Sequence, residues 1–305
     1  MKLLKSENWK FSKDNKPEER VSPGEVVLFK TEDCYAGQIT SEEQVRECLD
    51  LNHTNPTAGP LYVERAEPGD VLVVDILDIT VTGNGVSCTF KDEGCLSDMA
   101  EVRTRLIPIK DGYATFNGIS WKTEPMIGVI GTCPADKEIS CGYSGNHGGN
   151  MDSKMIKKGT RVYLPVFTKG ALLQIGDVHA SMGDGEACGT GIEVPAEILV
   201  KVDLVKNFRL DWPVTETEEY WYVNPTGLTY GESYIAGAHE LVRLMKPVYG
   251  WDETDIFIYY SIRGTVEINQ FVYPDPDPMV SLRVGVPKDK DRNLIPYKKS
   301  ITHHL

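Results

Sequence analysis

The stretch GDVHASMGDGE, residues 176–186, gathers four side chains that can bind a cation or move a proton: Asp177, His179, Asp184 and Glu186. Asp177-x-His179 closes an apolar run. In a strand, residues i and i+2 share a face, so Ala171, Leu173, Ile175, Asp177 and His179 are expected on one side, the last two extending an apolar stripe. A carboxylate on such a face is costly unless it is paired or bound to a metal. Asp and His together suit zinc, and also manganese or iron. A buried Asp–His hydrogen bond is the alternative. Residues 71–81 raise the same question, because Asp75 shares a face with Val71, Val73, Leu77, Ile79 and Val81. It is either a further ligand or an acid serving a turn.

A second dense stretch is SGNHGGNMDSK, residues 144–154. Gly145, Gly148 and Gly149 permit tight or left-handed backbone, and His147, Asn150 and Asp152 would be displayed on it. This is a site loop or a surface turn. Cys188 stands two residues past Glu186. It is either a nucleophile beside Glu186 and Lys169 or, more simply, a small core residue. His239 reads as a packing or surface residue of a helix, and His303 and His304 belong to the tail.

The elements that must carry these groups are mostly strands. Residues 24–33, 69–81, 157–179 and 196–206 are β-branched, partly alternating and separated by Gly-rich turns. The expected fold is mainly β, with antiparallel sheets in a sandwich or barrel. Two helices are expected within 233–263, with Ser233 capping the first, Pro247 and Gly250 stopping it, and Asp252 capping the second. A single unit is expected, divisible into a β core of 1–84 and 126–305 with a small inserted subdomain at 85–125.

Lys and Arg total 32 against 45 Asp and Glu, a net charge of −13. Such a surface repels a phosphate backbone, so nucleic acid is not expected as a partner. The chain lacks 18 consecutive apolar residues and opens without an export-type apolar segment. With seven cysteines and no CxxC pair, reduced thiols in a cytoplasm are expected.

Taken together, NPTAGPLYVERAEPGDVLVVDI (55–76), PMIGVIGTCPA (125–135), GNHGGNMDSK (145–154), LPVFTKGALLQIGDVHASMGDGEACGTGIEV (164–194) and VGVPK (284–288) resemble the acetamidase/formamidase family. The resemblance implies a β-rich fold and hydrolysis of short aliphatic amides to a carboxylate and ammonia. It implies a divalent metal, zinc before calcium, manganese or iron, with a small neutral amide as substrate. The carry-over places Asp152, Asp177 and His179 at the metal, with Asp75 as a further ligand. Glu186 is the expected general base. His147, Gly148, Gly149, Asn150, Asp184 and His53 are assigned to the oxyanion, the substrate or the surroundings of the metal. A homodimer is expected. The rival readings are a Cys188 amidase and a non-enzymatic, cation-dependent jelly-roll binding module.

Overall fold

The computed structural model describes residues 1–275 and 279–298. His303 and His304 lie outside the described residues. Two sheets of ten strands each stack face to face, and the β-branched runs supply both. The first sheet runs Lys2–Leu4, Val26–Thr31, Ala196–Val205, Val71–Val81, Arg161–Pro165, Val214–Glu216, Tyr220–Val223, Val280–Pro287 and Thr226–Gly227, with Thr265–Gln270 also paired to Val280–Pro287. The second is built around Met126–Gly131 and Leu173–His179, which pair antiparallel, flanked by Thr57–Val63, Gly148–Asn150 and Glu193–Val194. Neither sheet closes into a barrel.

The main core lies between the sheets. Leu72, Val74, Ile76, Val162, Leu164, Ile198 and Val200 of the first meet Ile127, Ile130, Leu173, Ile175 and Val178 of the second. The other face of the first sheet is covered too. Val71, Val73, Tyr163 and Val214 pack against Leu241, Leu244, Met245, Ile256 and Tyr260 of the two helices. Residues 85–89 and 103–107 pair within the second sheet, and 109–122 form a separate three-stranded sheet.

The helices span Tyr230–Tyr249 and Glu253–Arg263. Thr229, not Ser233, caps the first, by accepting the Glu232 N–H. Ser233 is buried, and its hydroxyl donates to the Val280 carbonyl instead. Pro247 is carried inside the last turn, and the helix stops at Gly250, whose φ of +70° is left-handed. Asp252 caps the second helix through the Asp255 N–H, as expected. All seven thiols are free. Among the described residues no helix is long and apolar enough to cross a membrane.

The strand bearing Asp177 departs from simple alternation. Leu173 and Ile175 face the main core, but so do Val178 and Ala180. The phase inverts at Asp177, whose φ is +53°. Gly128 stands opposite, between the register pairs Ile127–Val178 and Val129–Gly176. Asp177 and His179 therefore do not extend the apolar stripe. One left-handed residue turns them to the outer side of the sheet together, still neighbours.

Candidate metal and catalytic centre

Four carboxylates and one imidazole meet on that outer side. Asp152, Asp177, His179, Glu186 and Glu193 are each at most 5% exposed. The His179 Nε2 lies 3.1 Å from Glu193 Oε2, 3.5 Å from Asp177 Oδ1, 3.9 Å from Glu186 Oε1 and 4.0 Å from Asp152 Oδ1. Gln270 donates from one Nε2 to Asp152 Oδ2 at 2.7 Å and to Glu186 Oε2 at 2.8 Å. Asn55 reaches Asp177 Oδ2 at 3.5 Å. The Gly191 N–H donates to Glu193 Oε1 at 2.8 Å.

The backbone is forced into this arrangement. Asp152, Asp177 and Glu186 have φ of +47°, +53° and +48°, a region that side-chain-bearing residues enter at a cost of about 1–3 kcal/mol each. Gly128 makes room at the floor. A Cβ there would come within 2.5 Å of Asp152 Oδ1 and 2.6 Å of Asp177 Oδ2. Turn glycines supply the approach, while packing around the acids holds the strained conformations.

The electrostatics follow from burial. Loss of solvent pushes the Asp152 carboxyl well above its ordinary range, and the charges of Glu186 and Asp177 push it further. Burial also raises Glu186, against the pull of His179. It raises Glu193 to about 8. For His179, burial opposes the charged ring, yet Glu193 and Asp177 outweigh it and hold its pKa well above the usual value. The cluster by itself therefore retains protons near neutral pH.

Whether a cation fits can be read from the atoms. Asp152 Oδ1 and His179 Nδ1 are buried without a hydrogen-bond partner. Asp152, His179 and Glu186 each offer a ligand atom, all within 4.8 Å of one another. Oxygen and imidazole donors suit a divalent ion, and bonds of about 2.0–2.2 Å would bridge these spans.

A cleft of about 320 Å³ leads to the cluster. Asn55 and Gln270, which touch the carboxylates, belong to its lining, with Thr54, Ser140 and Asn150. A larger cavity of about 660 Å³, lined by Cys88, Trp121, Arg103 and Cys188, contains none of the five clustered residues. None of the five lines the smaller cleft either, but it adjoins them through Asn55 and Gln270, which bond to their carboxylates.

Other residues singled out in the sequence lie elsewhere. Asp75 stands outside the cluster. It sits in the first sheet and is ion-paired with Arg161, its register partner across the adjacent strand. Its apolar face is explained by that guanidinium. His53 is exposed, 2.6 Å from Asp50 and edge-on to Trp9, so its ring is spent on a surface pair. Asp184 anchors its turn through Arg283 and Lys154, which hold its carboxyl below the usual range despite partial burial. His147 packs edge-on against Phe11, and burial drives its pKa down to about 4, so it is a neutral core ring. Gly148 and Gly149 lie in the strand paired with Met126–Gly131, where a Cβ on Gly148 would come within 2.2 Å of the Ile130 carbonyl. Asn150 borders the cleft, its Oδ1 buried without a partner. Cys188 is turned to Thr190 and the larger cavity, away from the carboxylates.

Sequence reasoning missed Asn55, Gly128, Glu193 and Gln270. Glu193 carried a signal, a lone acid between Ile192 and Val194. The others are brought in only by the tertiary fold.

The Acetamidase/Formamidase family model matches residues 5–141 and 142–260. A formamidase of Methylophilus methylotrophus is 29% identical over 249 residues, covering 61% of this chain and 61% of that protein. The chain thus spans under two thirds of that relative's length. Solved structures align more fully. An acetamidase from Bacillus halodurans superposes with a TM-score of 0.90 at 34% identity, covering 93% of this chain and 97% of its own. An acetamidase/formamidase from Thermoanaerobacter tengcongensis, described as predicted, gives 0.90 at 38% identity, with 94% and 95% covered.

Proposed function

The chain belongs to the acetamidase/formamidase family, and on that premise we propose that its outer-face cluster hydrolyses short aliphatic amides, of the formamide and acetamide class, to a carboxylic acid and ammonia. The observation that carries the proposal is the surplus of buried acid. Four carboxylates converge on one imidazole at the foot of a polar cleft. Buried acids crowded together either keep their protons or gain a counter-ion, and a bound cation would release those protons.

A divalent cation, zinc first, meets that need, and the partnerless Asp152 Oδ1 above the Gly128 floor supports the fit. Asp152, Asp177 and His179 would hold it. When bound, it would lower the pKa of a water molecule and polarise the amide carbonyl. Glu186 is the proton carrier. Its carboxylate takes the proton of the attacking water and delivers one to the departing nitrogen. Gln270 keeps Glu186 and Asp152 at a fixed separation by donating to both. Glu193, fixed by the Gly191 N–H, stands 3.1 Å from the same His179 Nε2 that faces Asp152 and Asp177, and so borders the cation position. Beside the charged Arg46, Glu93 and Asp275, the cleft offers the amides and hydroxyls of Thr54, Asn55, Ser140, Asn150 and Gln270, which can hydrogen-bond a small neutral amide.

The test is ammonia release from formamide and acetamide, before chelation, after it, and after a divalent cation is returned. The expected outcome is turnover that disappears with the metal and comes back with it. Full turnover in stripped protein would contradict the cation's role, and no ammonia from any short amide would contradict the substrate class.

A further inference from the structure

Beside the atoms assigned above lies a second, differently composed donor group. Cys34, Asp177 and Glu193 each offer a ligand atom, all within 4.8 Å of one another, and all three are buried. We propose that this group is a second cation subsite, selective for a thiophilic ion such as zinc or cobalt, with Asp177 shared between the two positions.

Three features of the molecule support it. The donors are held in place before any ligand arrives. Asp33 Oδ1 accepts the N–H groups of Tyr35 and Gly37, and the Asn55 N–H donates to the Cys34 carbonyl, so the backbone that carries the thiol is pinned on both sides. The Gly191 N–H likewise pins Glu193 through Oε1.

Next, an oxygen is left over. Glu193 Oε2 is buried and receives no aligned hydrogen bond, although His179 Nε2 is 3.1 Å away. A carboxylate oxygen of Glu193 lies within 4.8 Å of the Cys34 Sγ and an Asp177 carboxylate oxygen.

Charge is the third feature. One divalent ion offsets two of the four carboxylates. Two ions bring four positive charges against the four carboxylates and the Cys34 thiolate, where otherwise the carboxylates converge on a single imidazole. The donor chemistry separates the positions. Asp152 and His179 present oxygen and imidazole, which many divalent ions accept. Cys34 adds sulfur, which zinc and cobalt accept and calcium and magnesium do not. Binding takes the thiolate, so the Cys34 proton is released to solvent as the ion enters.

This proposal goes beyond the amide reading and is tested without turnover. Full-length protein is stripped with chelator and titrated with cobalt(II), following bound metal and the near-ultraviolet thiolate-to-cobalt charge-transfer band. The expected result is two equivalents with the band in wild type. Cys34→Ser should bind one equivalent without the band, and Cys188→Ala should keep both. Because Cys34→Ser is a core change, X-ray absorption on zinc-loaded wild type provides a second measure. It should show a sulfur neighbour at about 2.3 Å. One equivalent only, no sulfur neighbour, or a band that survives Cys34→Ser would each overturn the proposal. A protein that binds two ions and releases no ammonia would fail the amide reading alone.

Discussion

Two buried acids sit on strands of this protein with similar sequence surroundings and opposite fates. Asp75 lies in Val71–Val81 and Asp177 in Leu173–His179, and both are almost wholly buried. Around Asp75 the charges balance. Asp75 and Glu216 face Arg161 and Lys288, and Tyr163 donates to Glu216 at 2.7 Å. Around Asp177 they do not. Four carboxylates face one ring that carries at most one positive charge. The backbone differs as well. The acids at Asp152, Asp177 and Glu186 are left-handed, and Asp75 is not among the positive-φ residues. Burial of an acid therefore does not identify a functional site. Burial with unbalanced charge and a strained backbone points to one.

Breaking the balanced side should give the largest effect on stability. Arg161→Met strands the buried Asp75 carboxylate while Glu216 keeps Lys288 and Tyr163, with an expected loss of about 3–5 kcal/mol in urea unfolding and no change in bound metal. A loss below about 1 kcal/mol would show that the balance does not matter there. On the other side, Glu186→Gln should keep the metal while amide turnover falls by roughly 10²-fold, about 2.7 kcal/mol of barrier. If the metal leaves with the mutation, Glu186 is a ligand and not the proton carrier.

A smaller, graded effect separates the regions by pH. In stripped protein the folded-state pKa values of Asp152, Glu186 and Glu193 are raised, burial being the first cause. The folded chain then holds protons that the unfolded chain has released. Stability from these groups is present below the ordinary carboxylate range and is lost as pH rises towards about 8, where Glu193 ionises. The slope is about 1.4 kcal/mol per pH unit for each group within its window. A bound cation removes the penalty, so the difference in Tm between metal-loaded and stripped protein should widen between about pH 5 and pH 8. A constant difference across that range would count against the cluster as the binding place.

Much of this was legible in the residues. The mainly β fold follows from β-branched runs and Gly-rich turns, and the helices from a change of pattern at residue 232, two residues inside the start at Tyr230. Asp152, Asp177, His179 and Glu186 announced themselves as ligand types massed between glycines. The parity argument kept Asp177 and His179 side by side, but placed them on the wrong face. Strict alternation assumes extended backbone, and a left-handed Asp177 inverts the phase. Asp75 misled for a related reason. Its partner, Arg161, is 86 residues away, and strand register is not written locally. Cys34 and Gln270 reach the centre from a loop and from the end of a strand, and neither position carries a periodic signature.

The central claim is that charge imbalance, not burial, marks the cation site. The most direct test is metal content, measured side by side on purified wild type, Asp177→Asn and Asp75→Asn after equilibration with zinc and removal of the free ion. Wild type and Asp75→Asn should retain zinc at the same stoichiometry, and Asp177→Asn should lose it. Zinc retained in full by Asp177→Asn, or lost by Asp75→Asn, would contradict the account.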